Sequence, residues 1–242
     1  MNFEELDYRQ TTLGELCLRR RRVLGLDGRD IFEVKLNDEY LMSSLFHDGE
    51  VALADLGLAA LSGQGWDIVV GGLGLGYTAA AVLRYHQVAR MVVVEALEPV
   101  IDWHRRALVP NGKTLSEDAR CRYYHADFFA LARGDGFDPE VPGHLFDAIL
   151  LDIDHTPAAL LNPLHADFYS DEGLMRLRAF LKPGGVFGLW SNDVPDKNFL
   201  AMLSQVFDQV DGHIVTFANP LQDQTATNGI YLAQVAQSPS AD

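Results

Sequence analysis

The chain has 242 residues, enough for one large domain, or a domain with a small appendage, around a sizeable core. Apolar residues make up 48%, which excludes a disordered tail, and no apolar run reaches the roughly 18–20 residues of a membrane span. A net charge of −15, from 34 acidic and 19 basic side chains, repels phosphate backbones and argues against a nucleic-acid partner. It suits a cationic substrate, although solubility alone accounts for it equally well.

The first fifty-odd residues read as β-rich. "MNFEELDYRQ" is acidic and lacks the basic-then-apolar layout of a signal peptide. Two extended runs follow, "TTLGELCLRRRRVLGL" and "DIFEVKLNDEYLMSS", with a turn signal at Asp27 and Gly28 between them. Arg19 to Arg22 is the one basic cluster. On a strand its members point alternately to opposite faces, which splits the patch and favours a solvated strand end or interface over nucleic acid. Cys17 and Cys121 lie far apart and fit buried thiols in a reducing compartment, so a cytoplasmic protein is expected. "GEVALADLGLAALSG" has apolar residues at helical spacing and a glycine stop, the pattern of a linking helix.

From Trp66 the texture changes to alternating β and α units. "WDIVVGG", "RMVVVEA", "CRYYHAD", "FDAILLDID" and "VFGLW" read as strands. "YTAAAVLRYH", "PVIDWHRRAL", the stretch from Asp171 to Leu181 and "KNFLAMLSQVF" read as helices. Apolar strands alternating with helices imply a parallel sheet covered on both faces. Two consecutive strands at the end, "HIVTFA" and "GIYLAQV", suggest a terminal hairpin with one antiparallel strand. There is no internal repeat, and the only low-complexity stretch is the tail "AQSPSAD".

The stretch "DIVVGGLGLGYTAAAVLRYHQVARMVVVEALEPV" carries the strongest functional signal. A strand that runs through Gly71, Gly72, Gly74 and Gly76 into a helix sets backbone N–H groups and a helix N-terminus beside a crevice. Glu95, nineteen residues after Gly76, falls at the end of the next strand, where a carboxylate can accept from both hydroxyls of a ribose. Such a glycine turn also serves plain packing, but the acid at this spacing points to a nucleoside. Asp127 lies just past the third strand, placed to accept from an adenine amino group, with Phe128 available to pack beside the base. Asp152 and Asp154 end the fourth strand, in the switch region where a reacting group belongs. Acids at the ends of three successive strands suit a cationic, nucleoside-sized ligand and would repel a pyrophosphate. A dinucleotide dehydrogenase is therefore disfavoured.

These residues resemble the spermidine synthases (polyamine aminopropyltransferases), within the wider fold of the S-adenosylmethionine-dependent methyltransferases. The likeness runs through "VVGGLGLGYTAAAVL", "VVVEALEPVI", "HADFF", "FDAILLDID" and "LKPGGVF". It implies an α/β chain with a small N-terminal β-strand domain (1–55) and a Rossmann-like, seven-stranded S-adenosyl-ligand-binding domain (56–242), in a homodimer or larger assembly. It further implies that Glu95 holds the ribose, Asp127 the adenine amino group and Asp152 the reacting end.

Several positions depart from the family. Gly74 stands where the glycine loop usually carries an aspartate. The string "DIDHTP" keeps the first acid as Asp152, while His155 stands where the second is usual and Asp154 is displaced from it. The tyrosines expected near "FHDGEV" and "QTATNG" are missing. The nucleoside half of the site thus looks retained and the acceptor half rebuilt, with Asp154 and His155 as candidate acceptor contacts.

No group of the eight histidines has a metal-ligand spacing with an acidic partner, so no metal is expected. His125 is placed to pack beside the base. His155 and His165 flank a substrate loop, where a surface role competes with one as general base. Ser191, Asn192 and Asp193 either line the acceptor pocket or cap the helix that begins near Lys197. The function expected is transfer of an aminopropyl or methyl group from S-adenosylmethionine or its decarboxylated form to a small nucleophile, a cationic amine among the candidates. Asp152 would orient or deprotonate that nucleophile. The alternative is a non-catalytic homologue that binds a nucleoside or a partner protein through the same cleft.

Overall fold

A computed structural model describes residues 3–237 of the protein. Residues 238–242, most of the expected low-complexity tail, lie outside the described range. The N-terminal segment is a four-stranded antiparallel sheet in sequential order, β1 (Phe3–Thr11), β2 (Gly14–Val23), β3 (Arg29–Leu36) and β4 (Glu39–Ser43). The sequence reading finds two extended runs here; the second is itself a hairpin. It turns at Asn37, which adopts a left-handed φ of 54° and accepts the Glu15 N–H on Oδ1 at 3.0 Å. Along β2 the arginines alternate as expected. Arg19 and Arg21 both face Glu33, at 3.7 and 2.7 Å, while Arg20 reaches Glu4 and Arg22 reaches Asp30. Each guanidinium is answered by a carboxylate, so the cluster is internally neutralised.

Helix α1 (Asp48–Ala59) links this sheet to a seven-stranded one of order β10-β11-β9-β8-β5-β6-β7. Its strands are β5 (Trp66–Gly71), β6 (Val88–Glu95), β7 (Cys121–His125), β8 (Phe146–Leu151), β9 (Leu181–Ser191), β10 (Gln209–Asn219) and β11 (Gln224–Gln234). β5 to β9 run parallel, and β11 inserts antiparallel to β9 and β10. The helices are α2 (Tyr77–Leu83), α3 (Glu98–Arg105), α4 (Gly112–Glu117), α5 (Phe128–Arg133), α6 (Asp171–Arg178) and α7 (Lys197–Val206). This is the Rossmann-like methyltransferase-type architecture preceded by a small β sheet.

The strands are apolar because both faces are covered: Ile68, Val69 and Val70, like Ile149, Leu150 and Leu151, are fully buried. Leu53 and Leu58 of α1 pack on the sheet, each contributing about 1.5–3 kcal/mol on burial. Gly57 and Gly188 let the helix lie close, since a Cβ at either would meet Leu150 or Leu53 within 3 Å. The boundary expected between 55 and 56 falls inside this helix. Leu16, Leu18 and Val34 of the small sheet belong to the same apolar cluster as Leu53, Ile68 and Val93.

Candidate functional site

The strand order reverses between β5 and β8, so the loops after these two strands face each other across a crevice. The junction is tight. The Asp152 N–H donates to the Gly71 carbonyl at 2.8 Å, and a Cβ at Gly72 (φ 92°) would stand 2.1 Å from the Asp152 carbonyl oxygen. Only glycine satisfies both the left-handed φ and that contact. Gly71, by contrast, turns toward the core, where a Cβ would meet the Phe128 ring at 2.6 Å. It is a packing glycine, which corrects the expectation that it faces the ligand. Gly72 and Gly74 line the larger of two cavities here, and Gly74 and Gly76 the smaller.

Two cavities meet at this junction. The larger, of about 890 Å³, is lined by Glu95, Asp127 and the loop residues Ala96 and Leu97 on one side. Residues of the small sheet, including Asn37 and Met42, close it on the other. The smaller, of about 330 Å³, extends toward α1 and the β10–β11 hairpin. Met42, Gly74, Asp152, Ile153, His155 and Leu161 line both.

Glu95 sits as expected at the end of β6, with both oxygens already engaged. Oε2 accepts the Leu73 N–H at 2.9 Å and Oε1 accepts the Leu97 N–H at 2.8 Å. Burial pushes its pKa up, while the backbone N–H groups of Leu73, Leu97, Gly74 and Ala96 pull it back. The residue also lines the larger cavity. The side chain therefore shapes the glycine loop as well as facing the cavity. Asp127 has a double placement too: Oδ1 caps α5 by accepting the Ala130 N–H at 3.0 Å, and the residue lines the larger cavity.

Phe128 departs from expectation. It is 1% exposed and stacks on Phe137, with edge contacts to Phe129 and Phe168. It backs the cavity wall but has no free face for a base. His125 lies at the rim, its Nε2 3.1 Å from the Ala96 carbonyl.

Asp154 is a second correction. Its carboxylate is fully buried and lines neither cavity. It accepts the Leu161 N–H at 2.7 Å and the Tyr169 hydroxyl at 3.0 Å, with His165 Nδ1 at 2.9 Å. It clasps the loop after β8 to the chain that follows, and His165 stacks on Phe129 at 3.7 Å. Burial and the adjoining Asp154 hold the Tyr169 hydroxyl well above its usual pKa. His155, unlike Asp154, lines both cavities. Of the polar triplet at the end of β9, Asn192 lines the smaller cavity, whereas the cap of α7 is Asp196.

The smaller cavity also holds residues that the sequence reading passes over. Glu50, in the first turn of α1, faces Asp152. Burial first, then the neighbouring Asp152 charge, push its carboxyl up to about 8. Burial pushes Asp152 up to about 6, opposed by the Thr78 hydroxyl that donates to Oδ2 at 3.0 Å. Tyr77 opens α2 and stacks on His47, with centroids 4.2 Å apart, so the cavity has a tyrosine from a direction the family pattern did not suggest. Trp190, Phe46, Phe217 and Asn228 complete the wall. Gly49 admits them: a Cβ there would meet Trp190 Nε1 at 2.5 Å and Asn228 Oδ1 at 2.6 Å. α1 also carries Asp48 and Asp55, and nothing in the local sequence singles out Glu50 among its acids.

No cluster of metal-binding side chains is present among the described residues, and none of their helices is long and apolar enough to cross a membrane. No protein-family model matches the chain, and no curated protein sequence matches it. Solved structures do. The sheet order, the covered faces and the cleft at the β5–β8 switch define the fold of the S-adenosyl-ligand transferases. Human methyltransferase-like protein 13 in complex with SAH aligns over 80% of this chain and 81% of its own, at a TM-score of 0.51 and 21% identity. Within that fold the chain takes the spermidine-synthase-like form, small N-terminal sheet included. Spermidine synthase in complex with the transition state analogue AdoDATO aligns over 98% of this chain and 75% of its own, with a TM-score of 0.71 and 16% identity. Spermidine synthase from Thermotoga maritima aligns over 98% and 74%, with a TM-score of 0.71 and 17% identity.

Proposed function

We propose that the protein transfers an alkyl group from an S-adenosyl sulfonium donor to a small amine. The observation that carries this reading is the pair of cavities that meet at Asp152, one on the Glu95–Asp127 side and one on the Glu50–Trp190 side. Bringing two reactants together in line lowers a bimolecular barrier by several kcal/mol without further chemistry. In the donor cavity Glu95 would receive the ribose diol and Asp127 the adenine amino group. The amine lone pair then forms an N–C bond to a carbon beside the sulfonium. The C–S bond breaks, its electron pair stays on sulfur as a neutral thioether, and the nitrogen releases a proton to Asp152 or Glu50.

The donor form follows from charge. Among the described residues neither cavity is lined by Lys or Arg, so the carboxylate of a methionine-type donor would meet no cationic partner. This favours the decarboxylated donor and aminopropyl transfer over methyl transfer. The neighbouring fold of spermidine synthase supports the same direction. The open acceptor-side cavity speaks against the non-catalytic alternative.

Incubation with each donor and a broad amine panel, followed by mass spectrometry, tests the reading. Methylthioadenosine and an aminopropylated amine are expected from the decarboxylated donor. S-adenosylhomocysteine as the only thioether would assign methyl transfer instead. No thioether from either donor would favour the binding-only homologue.

A further inference from the structure

We infer that the acceptor carries a single ammonium group and an uncharged body that ends in a hydrogen-bond donor, an amino alcohol or hydroxyaryl amine rather than a diamine. The inference rests on the donor–acceptor reading above and concerns only the acceptor-side cavity.

The charges in that cavity are one-sided. Glu50 and Asp152 are its only carboxylates among the described residues, and they are close enough for the Asp152 charge to act on Glu50. Asp152 stands at the junction with the donor cavity, where a nucleophilic nitrogen must lie, and Glu50 faces it from the acceptor side. Among the described residues no Lys or Arg lines this cavity to hold an anionic group, His155 being its one basic side chain, which disfavours amino acids as acceptors. Away from the two acids the wall is Phe46, Phe217, Trp190 and Tyr77, with Phe46 and Phe217 in contact at 5.9 Å between centroids. Aromatic faces attract a cation but do not neutralise it, so a second ammonium in this part would be desolvated without a counterion.

The second observation is Asn228. It is 7% exposed, lines the cavity, and makes a single long side-chain bond, from Nδ2 to the Asn192 carbonyl at 3.5 Å. Its Oδ1 accepts no hydrogen bond among the described residues, although the Trp190 indole N–H, also without a partner, lies on the same side of Gly49. The Asn228 amide thus offers the cavity an acceptor that no described residue meets, and a neutral ligand donor such as a hydroxyl meets it without bringing in a charge.

Two acceptors of equal length separate the ideas. Calorimetry with 4-aminobutan-1-ol and 1,4-diaminobutane is run with the protein alone and with saturating methylthioadenosine. The amino alcohol is expected to bind at least tenfold more tightly than the diamine. Glu50→Gln should weaken the amino alcohol at least tenfold while leaving methylthioadenosine affinity within twofold. Asn228→Ala should remove most of the amino alcohol's advantage over 1-aminobutane. A diamine that binds equally or more tightly, or a Glu50→Gln protein that binds the amino alcohol like wild type, overturns the inference. Failure of methylthioadenosine to bind would instead strike at the donor reading, and the amine ranking obtained without it still judges this one.

Discussion

At the scale of single residues, Glu95 has two tasks whose effects can be separated. It pins the Leu73 and Leu97 N–H groups and also lines the larger cavity. Charged hydrogen bonds contribute about 1.5–3 kcal/mol each. Glu95→Ala is therefore expected to weaken methylthioadenosine binding at least tenfold and also to lower stability by about 1–3 kcal/mol, since two amides lose their acceptor. The stability loss comes from backbone contacts that the sequence alone does not reveal. Glu95→Gln, which keeps one acceptor oxygen, should fall between Ala and wild type in both measurements. An Ala variant with unchanged nucleoside affinity would contradict the placement.

Glu50 and Asp152 make a prediction about pH. Both have folded-state pKa values raised by burial, to about 8 and about 6. The folded protein thus holds more protons than the unfolded chain between about pH 4 and pH 8. Stability from these groups is present at low pH and is lost as pH rises through 6 and then 8. Glu50→Gln removes the larger part of this dependence. Its denaturation midpoint should gain on wild type from pH 5.5 to pH 8.5, by an amount on the order of 2 kcal/mol. A constant difference across that range would show that Glu50 ionises freely.

Among the elements, the loop after β8 is held by a clasp and not by regular structure. Asp154 gathers the Leu161 N–H, His165 and the Tyr169 hydroxyl, so that His155 and Leu161 present themselves to both cavities. Removing a buried carboxylate with several partners costs about 3–5 kcal/mol. Asp154→Ala should approach that loss and raise hydrogen exchange across residues 155–165, with Asp154→Asn milder. Unaltered exchange there would mean that the loop is held by something else.

Much of the architecture was legible at this scale. Fully apolar strands such as "DIVV" and "AILL" announce a doubly covered sheet, and the glycine loop with Glu95 marks its binding edge. What stayed hidden depends on contacts distant in sequence. Asp154 reads as an acceptor contact until Tyr169 and His165 close over it, and Phe128 reads as a base-side ring until Phe137 takes its face. Glu50 and Asn228 had no local motif; only the packing of α1 and the β10–β11 hairpin against the β8 loop brings them to one cavity. β1 (Phe3–Thr11) went unread as a strand because it is largely exposed, and the turn at Asn37 was merged into one extended run.

Over the whole molecule, two sheets share one apolar cluster and enclose a donor-side cavity between them. The wall facing that cavity carries acids and no Lys or Arg among the described residues, in keeping with a chain of net charge −15. Such a cavity attracts a cationic sulfonium and rejects nucleotide phosphates. The claim on which everything else depends is that this space takes an S-adenosyl nucleoside. Isothermal titration calorimetry with methylthioadenosine, S-adenosylmethionine and decarboxylated S-adenosylmethionine tests it most directly. At least one is expected to bind with a Kd below about 1 mM, roughly 4 kcal/mol, with the decarboxylated donor tighter than the methyl donor. No measurable binding of any of the three at that concentration would contradict the nucleoside reading.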